Sequence, residues 1–163
     1  MINLAEEWRK LDGRRRTPDS QKHWDERAKS FSFKDTPDAY LQSFISKAGI
    51  TGEESVLDMG CGTGSLAVAL ASMGCSVVAA DFSTGMLDRL HSKAAERGVL
   101  WEGGSSGLYS GDSSAGGAKI SPSEIEAGKI LPLRMSWEDD WANYGVEENS
   151  VDVAVASRSV ITR

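Results

Sequence analysis

The stretch Ser55-Val-Leu-Asp-Met-Gly-Cys-Gly-Thr-Gly64 decides how this chain is read. A short apolar run, Ser55 to Met59, enters a loop in which every second residue, Gly60, Gly62 and Gly64, is glycine. A tight strand-to-helix turn needs glycine where φ is positive or where a ligand approaches the backbone. Beyond the loop, Leu66, Ala67, Leu70, Ala71 and Met73 recur at helical spacing, and Gly74 ends the pattern. Cys75 to Ala80 reads as a second buried strand closing at Asp81. Ser83 then caps a helix expected to reach about Arg97, with Met86, Leu87 and Leu90 inward and Gly98 as terminator. Strand, glycine turn, helix, strand, acid, helix is a βαβα unit, which predicts a parallel sheet with right-handed crossovers.

Downstream the rhythm breaks. Of the 15 residues Gly103 to Gly117, 11 are Gly or Ser, a linker-like composition. Ser121-Pro-Ser-Glu124 is a capping box with proline in the first turn, and residues 103–129 together read as a surface insertion. Ile130 to Met135 is a third strand, with Pro132 placing it on a sheet edge. Val151 to Ala156 is the fourth. Upstream, Leu4, Trp8 and Leu11 form a short helical stripe. Thr17-Pro18 and Thr36-Pro37 start helices expected over 18–30 and 37–48, the second closed by Gly49. The chain thus divides into a helical extension or lid, residues 1–50, and an α/β part, residues 51–163, carrying the insertion.

With 163 residues, 40% apolar and 26% charged, the composition is that of an ordinary globular domain. The least polar stretch, Leu66 to Ala80, is too short and too interrupted to span a bilayer, and the N-terminus has no apolar signal segment. Two cysteines, Cys61 and Cys75, flank a helix that would hold them about 15 Å apart, beyond disulfide reach, so a reducing, cytoplasmic setting is expected. Residues 1–35 hold 9 of the 18 bases but only 7 of the 24 acids, which leaves the body distinctly acidic. That balance argues against a broad nucleic-acid footprint. Arg14-Arg15-Arg16 is the one run that could meet phosphates.

Two acids sharpen the glycine loop into a site. Asp58 stands two residues before Gly60, at the carboxyl end of its strand, where a carboxylate suits a positively charged ligand. Asp81 closes the next strand, where an acid can accept hydrogen bonds from ribose hydroxyls. The free N–H groups at a helix start favour anionic groups. A nicotinamide dinucleotide site is the competing reading, but G-x-G-x-x-G requires glycine at 65, where this chain has Ser65. Asp58 would also sit poorly against a pyrophosphate.

These residues, with Val77-Val-Ala-Ala-Asp-Phe-Ser83 and Met86-Leu87, resemble the class I S-adenosylmethionine-dependent methyltransferases. The resemblance is strong over residues 53–98 and looser over 130–160. It implies a Rossmann-like, doubly wound, mostly parallel sheet and S-adenosyl-L-methionine as cofactor, with S-adenosyl-L-homocysteine as product. Gly60, Cys61, Gly62 and Gly64 would lie against the cofactor's amino-acid portion and ribose, and Asp58 near its ammonium. Asp81 would hold both ribose hydroxyls. Phe82 would lie beside the adenine, with Met86 at the start of the next helix. The loop after the third strand, Ser136-Trp-Glu-Asp139, would touch the adenine. Many members have an acid where Ser136 stands, so the bond to the adenine amino group would pass to Glu138 or Asp139. Trp137 is either an apolar wall there or, with Trp141, a helix face on the sheet. Ser157-Arg-Ser159 would edge the substrate site and lacks the Pro-Pro-aromatic pattern of members that methylate amides or nucleobases. In His23-Trp-Asp-Glu-Arg-Ala-Lys-Ser-Phe31, Trp24 and Arg27 would be lid residues; equally, Trp24, Ala28 and Phe31 form a core face.

The implied activity is methyl transfer from the sulfonium, by in-line displacement, to a small-molecule acceptor. Such chemistry needs alignment more than covalent help, and no catalytic residue or metal site is assigned. His23 and His91 have no ligand-spaced partners, and His91 is expected to be exposed. The family sheet has seven strands, and four are expected here, leaving the fourth as an apolar edge. The chain is therefore expected to be a piece of a longer enzyme, or to complete its sheet with a second copy or a partner subunit. A cofactor-binding module without catalysis, an RNA methyltransferase and an NAD-dependent oxidoreductase are the alternatives.

Overall fold

The computed structural model describes residues 19–30, 38–101 and 121–156. The stripe at Leu4, Trp8 and Leu11, the arginine run 14–16, Phe31, most of the Gly/Ser insertion and Ser157 lie outside them. Four helices, α1 (Asp19–Ser30), α2 (Asp38–Ala48), α3 (Ser65–Met73) and α4 (Thr84–Glu96), accompany five strands. These are β1 (Ser55–Met59), β2 (Ser76–Asp81), β3 (Leu100–Trp101), β4 (Lys129–Arg134) and β5 (Val153–Val155). Every pairing is parallel, in the order β3-β4-β2-β1-β5.

The four expected strands are all present, and β3 is the correction. It is two residues long, Leu100 is 63% exposed, and no alternation can show in so short a strand. Its presence moves β4 one place in from the edge. Pro132 keeps its edge character nonetheless, because β3 pairs only with Lys129 and Ile130 and leaves the outer side of Pro132 without a strand among the described residues. The fourth strand is also shorter than expected, since Val151 leaves the ladder to pack on a side cluster.

Central strands of a parallel sheet are buried on both faces, so they read as continuous apolar runs. In β1, Val56, Leu57 and Met59 are all nearly inaccessible. Alternation sends Val56, Val77, Ala79 and Ile130 towards α3 and α4, where they meet Leu66, Leu70, Leu87 and Leu90. Leu57, Met59, Val78, Ala80, Leu131 and Leu133 face the other way, where 3-10 turns at Pro122–Glu124 and Trp141–Tyr144 stand. The α2 helix adds Ile45 to the first cluster, with Leu41 and Phe44 packed against it. Ser121 and Glu124 form the expected capping box.

Asp152, the polar interruption of the fourth strand, ties β5 to β1. Its Oδ2 accepts the Ser55 N–H at 2.8 Å and the Ser55 hydroxyl at 2.7 Å. No described helix is long and apolar enough to cross a membrane.

Candidate functional site

From β1 the chain builds one side of the sheet with β2, β3 and β4, then returns to lay β5 on the other side of β1. Open α/β sheets bind ligands at such a reversal, beyond the carboxyl ends of the strands. There β1 leaves the sheet at Met59 and enters the glycine loop. Gly60 and Cys61 both donate their N–H groups to Ala80 O, at 2.7 and 2.9 Å, which folds the loop over the end of β2. Gly64 then caps α3 at φ 76, a left-handed conformation, and a Cβ there would overlap Leu90 Cδ1 of α4. Glycine is needed at 64 for both reasons.

Asp58 and Asp81 lie on the same face of the sheet, at the ends of adjacent strands. Asp81 is anchored: Oδ2 accepts the Gly62 N–H at 2.9 Å, and Oδ1 accepts the Ser83 N–H at 2.9 Å. Burial still raises its proton affinity, against the pull of the Ser83, Gly62 and Phe82 N–H groups. Asp58 differs. It is 1% exposed, and neither carboxylate oxygen has a partner in hydrogen-bonding geometry, the Ala67 N–H being the one donor near enough to act on it. Burial first, then the Asp81 charge, pushes it up to about 7, with only the Ala67 N–H acting in the opposite sense. A buried carboxyl without partners is costly unless something else supplies them. A ligand ammonium is the chemistry that fits.

Cys61 is half-buried, its Sγ 3.7 Å from Gly62 O. Burial first, then the charges of Asp81 and Asp58, pushes its thiol up, which disfavours the thiolate. Phe82 is half-buried beside Asp81, whereas the Met86 side chain is buried within α4. Met86 contributes its N–H, given to Ser83 Oγ at 3.2 Å in the expected cap.

The loop after β4 is brought beside Asp81 by the Met135 N–H, which donates to Asp81 O at 3.2 Å. Within it, Asp139 Oδ2 accepts both the Ser136 N–H at 2.7 Å and the Tyr144 hydroxyl at 3.2 Å, and Glu138 accepts the Ser136 hydroxyl at 3.3 Å. No helix carries both tryptophans. Trp137 is 44% exposed, while Trp141 opens a 3-10 turn and packs on the sheet, their rings 6.0 Å apart.

On α1 the two readings divide by residue. Ala28 is buried, but Trp24 is exposed, with the Arg27 guanidinium 5.6 Å from its ring centre and His23 against its edge. His91 is exposed and lies 4.8 Å from the Trp101 ring. What sequence reasoning missed is Asp25, which accepts the Ser83 hydroxyl at 2.6 Å across 58 residues. The one signal was Gly85, a glycine in the first turn of α4 where α1 comes close.

Residues 56–105 match the family model described as a methyltransferase domain. An uncharacterized protein of Haemophilus influenzae is 42% identical over 125 residues, 77% of this chain and 35% of that protein. The cypemycin N-terminal methyltransferase of Streptomyces sp is 42% identical over 64 residues, 39% of this chain and 26% of that enzyme. A Methanococcus maripaludis protein, provisionally designated an S-adenosyl-L-methionine-dependent methyltransferase, shares the fold. The TM-score is 0.54 at 21% identity, over 89% of this chain and 53% of that one. The chain spans about a third of the length of the curated relatives it matches.

Proposed function

The chain belongs to the class I S-adenosylmethionine-dependent methyltransferase family, and we propose that its residues form the cofactor half of a methyltransferase acting on a small-molecule acceptor. The observation that carries this reading is Asp58, a buried carboxyl with no partner beneath a glycine loop held by a second acid.

Asp58 holds the cofactor's ammonium, and Asp81 takes the ribose hydroxyls with the oxygen atoms that now accept Gly62 and Ser83. Gly60, Cys61, Gly62 and Gly64 allow the backbone to approach the ligand closely. Phe82 and Trp137 flank the adenine. Glu138 is the acceptor for its amino group in preference to Asp139, whose Oδ2 already serves two donors within the loop. Trp24 and Arg27 complete the proposed contacts as lid. When bound, the cofactor supplies an electrophilic methyl group on a sulfonium, so the protein's work is orientation and exclusion of water. The acidic body and the resemblance favour a small acceptor over RNA. Free Cys61 and Cys75 support a reducing, cytoplasmic setting.

A thermal-shift titration with S-adenosylhomocysteine, with NAD in parallel, tests the reading. Ligand at 100 times its Kd stabilises by about 2.7 kcal/mol, which is about 5–10 °C for a domain of this size. A saturable shift with S-adenosylhomocysteine alone is expected. A shift with NAD alone, or a clean melt moved by neither, overturns it. Binding without methyl transfer to any acceptor would leave a cofactor-binding module.

A further inference from the structure

The Asp25 carboxylate belongs to α1, yet its hydrogen bonds lie at the start of α4. Oδ1 accepts the Ser83 hydroxyl at 2.6 Å and the Gly85 N–H at 3.1 Å. The first N–H groups of a helix have no partner inside it. Here two side chains share the task, Ser83 Oγ taking Met86 and Asp25 taking Gly85. A carboxylate at that end is also favoured by the helix dipole.

The approach is close because Gly85 permits it. A Cβ at 85 would stand 3.1 Å from Ala28 Cβ and 3.3 Å from Asp25 Cα. Farther along the same pair of helices, the Arg89 guanidinium donates to Lys29 O at 3.2 Å. The contact does more than dock two helices, since Ser83 is fully buried and has a single hydroxyl proton, which goes to Asp25. That choice turns the hydroxyl oxygen towards Met86. The Ser83 N–H meanwhile donates to Asp81 Oδ1, and Asp81 Oδ2 holds Gly62. One hydrogen-bonded chain thus runs from α1 to the glycine loop through the acid read as the ribose ligand.

We propose that Asp25 is a positioning residue of the cofactor site: through Ser83 it sets the Asp81 carboxylate, so that docking of α1 and binding of the ribose favour one another. The inference rests on the proposed function for what Asp81 binds. It does not rest on it for the fastening of α1.

Calorimetric titration of the full chain with S-adenosylhomocysteine tests the link in wild type, Asp25→Ala, Asp25→Asn, Asp81→Asn and the double variant Asp25→Ala/Asp81→Asn. Asp25→Ala should weaken binding about tenfold, while Asp25→Asn, which keeps an acceptor oxygen, should stay within threefold. In the Asp81→Asn background the alanine change should cost less than twofold, since an amide with one acceptor oxygen no longer holds the ribose hydroxyls whose binding Asp25 is proposed to favour. An unchanged affinity for Asp25→Ala, or the same tenfold loss in both backgrounds, overturns the proposal. If Asp25→Ala does not fold, Asp25→Ser takes its place with the same expectations. If wild type binds no ligand, the reading of the site fails, and amide exchange at Gly85 decides the fastening alone. Protection lost in Asp25→Ala and kept in Asp25→Asn upholds it; protection kept in both overturns it.

Discussion

Asp81 Oδ2 and the Gly62 N–H are joined at 2.9 Å across 19 residues, so the acid at the end of β2 holds the middle of the loop that leaves β1. The other oxygen holds Ser83. An asparagine at 81 has one acceptor oxygen for two donors, and its NH2 must face one of them. Either Gly62 or Ser83 then loses its acceptor. In Asp81→Asn, amide exchange at one of these two positions should rise, and S-adenosylhomocysteine affinity should fall at least tenfold. Unchanged exchange at both would show that the carboxylate does not organise the loop.

The glycines of the loop are not equivalent. Gly64 lies at φ 76 and its absent Cβ would overlap Leu90, whereas Gly62 lies at φ 55 with nothing within 4 Å. Left-handed strain costs about 1–2 kcal/mol for an L-residue, and overpacking adds about 1–3 kcal/mol. Gly64→Ala should therefore lose about 2–5 kcal/mol, a drop of about 4–20 °C in melting temperature. Gly62→Ala should lose only the strain and melt within about 2–8 °C of wild type. It should nevertheless lose its response to S-adenosylhomocysteine, because the open space at 62 is where ligand is proposed to lie. Equal melting temperatures for the two variants would refute the distinction.

That distinction marks what the sequence makes legible. The spacing of Gly60, Gly62 and Gly64 shows a turn, and Asp58 and Asp81 at strand ends show a site, because both are local patterns with fixed offsets. The boundaries of α1 to α4 follow from caps and terminators such as Ser83, Gly74 and Gly98 for the same reason. The clash that reserves Gly64 comes from Leu90, and the Asp25–Ser83 bond joins residues 58 apart. Such pairings depend on how helices pack, and no local pattern encodes them. Strand β3 escapes for a different reason, because its two residues make a single period of alternation and no pattern can repeat. Trp137 and Trp141 are four apart in a segment that never becomes an α-helix, so helical spacing there predicts a shared face that does not form.

Glu54 closes the turn before β1. Its carboxylate accepts the Thr51 N–H at 2.9 Å, the Thr51 hydroxyl at 2.8 Å and the Gly52 N–H at 2.8 Å. These bonds, the Thr51 N–H foremost, hold its pKa down at about 2. Asp152 is lowered likewise by the Ser55 N–H and hydroxyl. A carboxyl with a lowered folded value stabilises above its unfolded value, near 4, and loses that contribution as pH falls through the folded one. Between pH 4 and pH 2 the wild-type melting temperature should fall, and Glu54→Gln should flatten part of that slope. A parallel decline in wild type and variant would remove Glu54 from the account.

Asp58 predicts the opposite slope in the neutral range. Raised to about 7 by burial and by Asp81, it favours the protonated folded state. Its contribution to ligand-free stability is complete below the unfolded value near 4 and is lost as pH rises through 7. Binding an ammonium requires the ionised form, which grows from about a tenth of the population at pH 6 to about nine-tenths at pH 8. The affinity for S-adenosylhomocysteine should therefore rise about tenfold between those values while the ligand-free protein becomes less stable. Asp58→Asn should abolish the rise in affinity and flatten the stability profile, because an amide neither titrates nor carries charge. Calorimetric titrations at pH 6, 7 and 8 on both proteins measure this directly. A wild-type affinity independent of pH, or the same rise in Asp58→Asn, would mean that the buried carboxyl under the glycine loop does not receive the cofactor's ammonium.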